Sequence, residues 1–245
     1  MGRDDRLTGR SSEAEPAQDR WAIEASGLGR RYGRRWALAD VTLAVRPGVR
    51  LMVTGRNGSG KSTLLRVLAT AARADRGTAR VAGHDIRKER EEVRRRVALL
   101  GHESFLYDML TARQNLEVAA SFLGESAAGR VAGLLHTVGL AERADDPVSA
   151  LSAGMRKRLA LARALLQDAE VVLMDEPYGE LDPSGFRLLD GVLDELKARG
   201  ATVLLATHLL ERGRASCDEA IVLEEGRLVW SGAAADLPDP RDASA

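Results

Sequence analysis

The sequence predicts an α/β fold with a largely parallel sheet and a helical insertion, on three observations. Short apolar, strand-like runs alternate with segments of helical periodicity through most of the chain. One of these runs leads directly into a glycine-rich loop and then a helix. Between about residues 111 and 167 the strand signals stop, and apolar residues recur at helical spacing, as in Leu159, Ala162 and Leu166.

Taken in order, Trp21 to Thr54 contains the β-like runs Val41–Val45 and Leu51–Thr54, parted by the turn Arg46-Pro47-Gly48. A helix is predicted from Lys61 to about Ala72, and strands at Val97–Leu100, Val171–Met174 and Thr202–Ala206. A further helix runs from about Ser184 to Ala198. Arg87 to Arg96 has nine charged residues in ten, three of them acidic, with no interleaved aromatics, and reads as a solvated helix face. Residues 1–20 and 236–245 are polar and poor in large apolar residues. They are expected to be disordered tails around one folded unit, 21–235.

Composition narrows the function. The 245 residues carry 36 basic and 36 acidic side chains, so the basic footprint of a nucleic-acid-binding domain is absent and no nucleic-acid partner is expected. No apolar run exceeds four residues, against the roughly 20 that a membrane span needs. The first twenty residues lack the apolar stretch of a signal peptide, and the single Cys217 suits a reducing cytosol. Only four of the 36 basic residues are lysines (Lys61, Lys88, Lys157, Lys197), so a motif that demands lysine seldom arises here by chance.

Such a motif is present. Gly55-Arg-Asn57-Gly58-Ser59-Gly60-Lys61-Ser62 follows the apolar run Leu51-Met-Val and opens a helical pattern at Thr63, matching the P-loop in its strand–loop–helix context. Glycines let successive backbone N–H groups converge on phosphate oxygens, and the helix N-terminus adds partial positive charge. Lys61 supplies a point charge for the β- and γ-phosphates, and the Ser62 hydroxyl is a Mg²⁺ ligand. Val171-Val-Leu-Met-Asp175-Glu176 provides the acidic partner: Asp175 holds Mg²⁺ through its water shell, and Glu176 stands where a general base for the attacking water belongs. ATP and Mg²⁺ are therefore the expected cofactors.

Leu151-Ser152-Ala153-Gly154-Met155 precedes a basic helical segment; taken alone it reads as an N-cap serine opening a helix. In its order and spacing, 91 residues from Lys61 to Ser152 and 23 from Ser152 to Asp175, it resembles the signature loop of ATP-binding cassette (ABC) ATPases, usually LSGGQ. The resemblance covers about residues 21–231. Tyr32-Gly33 looks like the aromatic loop that stacks on adenine, although Tyr32 alone could be a core aromatic. Gly179-Glu-Leu181-Asp182 resembles the D-loop, and Thr207-His208 resembles the switch histidine that senses the γ-phosphate. His84 and His136 match no motif. The resemblance implies a P-loop NTPase (RecA-like) core with an N-terminal antiparallel β subdomain and an inserted α-helical subdomain, about 103–165. It also implies that Ser152 and Gly154 of one copy meet the ATP held by a second, as a homodimer, and that a separate transmembrane permease is the driven partner. The chain would then lie on the cytoplasmic face of the membrane.

Two departures from the family pattern stand out. Counting back from Leu110-Thr111-Ala-Arg-Gln-Asn115-Leu116, the position of the Q-loop glutamine holds His102, whose imidazole can ligate a metal or hydrogen-bond a water and so could fill the glutamine role. Ala153 and Met155 replace signature residues while Ser152 and Gly154 remain. Gly101-His102 together with this signature is similar to heme-exporter subunits of cytochrome c maturation. Export of lipid, drug or peptide, or a soluble cassette of iron–sulfur cluster assembly, are the alternatives; a dead site is opposed by intact Lys61, Asp175, Glu176 and His208. Phe105 and Tyr107 cluster just past His102 in a chain with nine aromatics. They either dock a partner, as the resemblance implies for the permease, or pack inside the helical insertion.

Overall fold

Parallel strands buried on both faces read as unbroken apolar runs, and three such runs form the centre of the fold. The computed structural model describes residues 21–238; expectations for residues 1–20 and 239–245 lie outside the described residues. The strands are β1 (Ile23–Tyr32), β2 (Arg35–Val45), β3 (Arg50–Thr54), β4 (Arg76–Val81), β5 (His84–Asp85), β6 (Val97–Leu100), β7 (Val171–Asp175), β8 (Thr202–Ala206), β9 (Glu219–Glu224) and β10 (Arg227–Ala233). The helices are α1 (Lys61–Leu68), α2 (Arg90–Arg96), α3 (Ala112–Ser121), α4 (Glu125–Thr137), α5 (Ala153–Leu165), α6 (Pro183–Ala198) and α7 (Leu210–Ser216). The α/β expectation therefore holds.

The main sheet has the order β10-β9-β3-β8-β7-β6, parallel throughout except for the antiparallel β10. An antiparallel sheet, β2-β1-β4-β5, forms the N-terminal β unit. Alternate residues of the central strands enter two separate cores. Val171, Leu173 and Leu204 join Leu64, Leu65 and Leu68 of α1, while Val172, Met174, Val203 and Leu205 join Leu189, Val192 and Leu196 of α6 and the helices α3 to α5. The helical unit α3–α5 thus enters the chain between β6 and β7.

Three expectations change. The helix from Lys61 ends at Leu68 rather than Ala72, because Thr70 adopts a left-handed φ of 58°. Arg90 and Arg94 of α2 hold that turn: each donates to the Thr70 carbonyl (2.9 and 3.4 Å), and Arg94 also donates to its hydroxyl (2.9 Å). The charged run is therefore a clamp on one side, with Val93 buried beneath it, and only its other side is a solvated face. Finally, the folded unit extends past 235. Asp236 closes a 3₁₀ turn, and Leu237 is buried while its carbonyl accepts from Arg214 (2.7 Å).

Leu237 is the one large apolar side chain of that segment, and its burial outweighs the polar neighbours that marked the segment as a tail. Leu237→Ala is expected to cost roughly 2–3 kcal/mol. A fall of about 4–10 °C in the thermal unfolding midpoint would register it.

Candidate active site

In an open α/β sheet, chemistry gathers where the strands release their chains at their carboxyl ends. Four neighbouring strands do so here. β3 runs into the glycine loop, β8 into Thr207-His208, β7 into Asp175-Glu176, and β6 into Gly101-His102. A cleft of about 720 Å³ opens there, lined by Gly55, Asn57, His102, Glu176 and His208 among the residues expected from sequence, and also by Arg56, Lys157, Gly179 and Glu180.

The glycine loop is shaped by backbone crowding. Gly55 has φ 138°, and a Cβ there would lie 2.1 Å from the Leu223 carbonyl oxygen; at Gly60, with φ 111°, it would lie 2.4 Å from that of Ala37. Only glycine fits. Lys61, the first residue of α1, is buried and folds its ammonium back onto the loop, donating to the carbonyls of Gly55 (2.8 Å) and Arg56 (3.3 Å). Ser62 is exposed beside it, with Thr63 half-buried and Gly58 exposed. Ser59 is buried, and its hydroxyl has no hydrogen-bond partner.

Asp175 ends β7 as a buried carboxylate whose Oδ1 likewise has no partner. A buried, unpaired carboxylate oxygen is costly in isolation, so this donor fits a hydrated hard cation such as Mg²⁺, with Ser62 as the further oxygen donor. The next residue, Glu176, turns through a left-handed φ of 47°, anchored by its N–H on the Ala206 carbonyl (2.8 Å). Its Oε2 lies 2.9 Å from His208 Nδ1. An ionised carboxylate only accepts, so the proton of this bond lies on Nδ1.

Lys157 was legible only as part of a basic helical segment. It projects from α5 into the cleft as a buried cation. Burial holds its ammonium below the ordinary lysine value, and Glu180, Asp175 and Glu176 partly oppose that shift. The scarcity of lysine was the one sequence signal that could have singled it out.

Other expected residues stand apart from this cleft. Tyr32 is exposed at the tip of the β1–β2 hairpin, one face covered by the Arg30 guanidinium 4.7 Å from the ring centroid, so it is not a core aromatic. Ser152 caps α5, accepting from the Met155 N–H (3.2 Å). A Cβ at Gly154 would lie 2.9 Å from the Glu180 carbonyl oxygen. Asp182 caps α6, accepting from the Gly185 N–H (2.9 Å), and that bond holds its carboxyl below the usual range. Phe105 and Tyr107 are exposed rather than packed inside the helical unit, as are Met109, Phe122 and Leu123, and Phe105, Phe122 and Leu123 line one shallow pocket.

Residues 38–179 match the ABC transporter family. The chain belongs to that family. It is an ABC-type ATPase. The Nod factor export ATP-binding protein I of Paraburkholderia xenovorans (strain LB400) is 39% identical over 219 residues, 88% of this chain and 72% of that protein. The daunorubicin resistance ATP-binding protein DrrA3 of Streptomyces coeruleorubidus is 40% identical over 219 residues, 88% of this chain and 69% of that protein. In three dimensions the chain is similar to the dimeric ATP-binding cassette MJ0796 bound to ADP and Pi (TM-score 0.81, 24% identity, 86% of this chain and 98% of that one).

These relatives correct one expectation. They are named for Nod factor export and daunorubicin resistance, not heme export, so Gly101-His102 and the altered signature do not single out a heme exporter. The hint rested on a few loop residues that export cassettes of different cargo can share.

Gly60→Ala tests the crowding of the phosphate loop. ATP affinity, read by titration with a fluorescent ATP analogue, is expected to fall at least about tenfold. Gly129→Ala on α4, whose added methyl meets nothing within 4 Å, is expected to leave it unchanged.

Proposed function

We propose that this chain is the ATP-hydrolysing subunit of an exporter, working as a homodimer against a separate transmembrane permease. The observation that carries the reading is the Glu176–His208 pair, 2.9 Å apart, beside the phosphate loop and the unpartnered Asp175 oxygen. Glu176 takes the proton of the attacking water, and His208 holds that carboxylate in place through Nδ1. Lys61 leaves its two carbonyl partners to pair with phosphate, and the backbone N–H groups from Gly55 to Thr63 cradle it. Tyr32 offers its free face to adenine. Ser62 and Asp175 would hold Mg²⁺, which when bound neutralises charge on the phosphates. His102 serves this site as a hydrogen-bonding partner of water, because a hard cation prefers oxygen ligands over imidazole.

Ser152 and Asp182 are exposed at the starts of α5 and α6, which supports the use of Ser152, Gly154 and Asp182 on a second copy. The apolar surface of Phe105, Tyr107, Met109, Phe122 and Leu123 supports permease docking: Asn115 fixes its backbone through four hydrogen bonds, accepting from the Tyr107 N–H and donating to the carbonyls of Tyr107, Leu110 and Thr111. No described helix is long and apolar enough to cross a membrane, and a peripheral seat on the permease accords with this surface. For cargo, the Nod factor and daunorubicin relatives favour the lipid or drug class.

Glu176→Gln is expected to bind ATP yet turn it over at least about a hundredfold more slowly, and to elute as a dimer with ATP during gel filtration. Near-normal turnover would overturn the general-base assignment. Tyr107→Asp combined with Phe122→Asp is expected to weaken co-purification of a polytopic membrane protein at least about tenfold.

A further inference from the structure

The loop after Glu176 carries a side chain that the proposed chemistry does not use. Tyr178 is almost fully buried, two residues beyond Glu176. Its hydroxyl donates to Asp190 Oδ1 on α6 (2.6 Å) and lies 3.1 Å from Ser216 Oγ on α7. The other oxygen of Asp190 accepts from Arg212 on α7 (3.1 Å). The Arg212 guanidinium covers the Phe186 ring at 4.7 Å, and Phe186 meets Tyr178 edge to face at 5.6 Å. One phenol and one carboxylate therefore tie together the loop that leaves β7, the helix that follows it, and the helix that follows His208.

The position of these ties matters more than their number. Glu176 lies two residues before Tyr178, and His208 lies two residues before the start of α7. The two groups that share the 2.9 Å hydrogen bond thus sit at the near ends of two segments that are fastened to each other just beyond it. A phenylalanine at 178 would fill the same space and keep the contact with Phe186. The hydroxyl is needed only for the tie. Left without it, Asp190 would keep Arg212 alone, and Ser216 would lose its partner across the gap.

We propose that Tyr178, Asp190 and Arg212 are positioning residues for ATP hydrolysis, a network that sets the spacing and orientation of the Glu176–His208 pair. This rests on the reading of Glu176 and His208 as the hydrolytic pair. The network transmits alignment rather than protons: none of its three residues lines the cleft. Small displacements of a general base from its water lower turnover steeply while leaving nucleotide binding intact.

The test measures steady-state ATP hydrolysis of the purified chain, together with the ¹⁵N–¹H correlation spectrum of its four histidines, His208 being assigned by its loss in His208→Asn. Tyr178→Phe is expected to lower kcat about tenfold with KM held within about twofold, and to shift His208 away from its Nδ1-protonated tautomer. Asp190→Asn should do the same, and Arg212→Lys, which keeps the charge but loses the planar stack, should fall between. The double variant Tyr178→Phe with Asp190→Asn should be no worse than either single change. Unchanged kcat in Tyr178→Phe overturns the proposal, as does a lowered kcat with the His208 tautomer unmoved. If Glu176→Gln hydrolyses ATP normally, the underlying site reading fails along with the proposal; if Glu176→Gln is inactive and Tyr178→Phe is normal, the network alone fails.

Discussion

The pairing of β7 with β8 is the constraint on which the site depends. Val171 stands opposite Thr202 and Asp175 opposite Ala206, and the ladder continues one step past the strand ends, where the Glu176 N–H meets the Ala206 carbonyl at 2.8 Å. On the other side of β8, the Thr207 N–H meets the Val53 carbonyl at 3.1 Å, which levels β8 against the strand that feeds the phosphate loop. A slip of one residue would turn every side chain to the opposite face and exchange Asp175 for an apolar neighbour. Polarity alone does not forbid that slip, because both faces of these strands are apolar. The ends do: the Thr202 N–H is held by the Glu170 carbonyl and its hydroxyl by the Gly48 N–H, so β8 is pinned below as well as above.

The same burial explains what was legible in the sequence. Val171-Val-Leu-Met and Thr202-Val-Leu-Leu-Ala stand out because doubly buried parallel strands tolerate no polar interruption, and the chemistry follows each run directly. The half-exposed antiparallel strands were blurred. β1 and β2 run 10 and 11 residues with shifts of register, and β4, Arg76-Gly-Thr-Ala-Arg-Val81, buries only Ala79 and Val81. Arg90 and Arg94 read as solvated because a run of charges does not reveal which of its members will meet a carbonyl such as that of Thr70. Lys157 was hidden in the same way. Nothing local to Tyr178 announces a partner twelve residues on and another thirty-eight residues on.

Three of the seven non-glycine residues that hold a left-handed φ among the described residues lie on the loops that leave the carboxyl ends of the strands. Glu176, Glu180 and Phe105 all hold left-handed φ angles of 47°, 66° and 50°, a conformation that costs a side-chain-bearing residue about 1–3 kcal/mol. Glu176 and Phe105 are over-determined by their surroundings. The ladder bond from Ala206 fixes Glu176. Arg163 donates to the Ser104 carbonyl (3.0 Å) and Asn115 binds Tyr107, and together they bracket Phe105. Such residues persist only where neighbouring structure offsets their cost, and at Phe105 those neighbours belong to the helical unit. The exposed apolar surface and the catalytic cleft are thereby joined to one another through β6 and the segment 101–107.

Gly154 supplies the corresponding link toward a second copy. Its glycine is required for a reason internal to the chain: the Glu180 carbonyl oxygen comes within 2.9 Å of where a Cβ would stand. The start of α5 therefore rests on the loop that begins at Glu176, and Lys157, one turn further along the same helix, reaches back toward Glu180, Asp175 and Glu176 from within the cleft. The exposed Ser152 stands at the cap of the same helix. On the dimeric reading proposed above, its surface is what the partner's nucleotide meets.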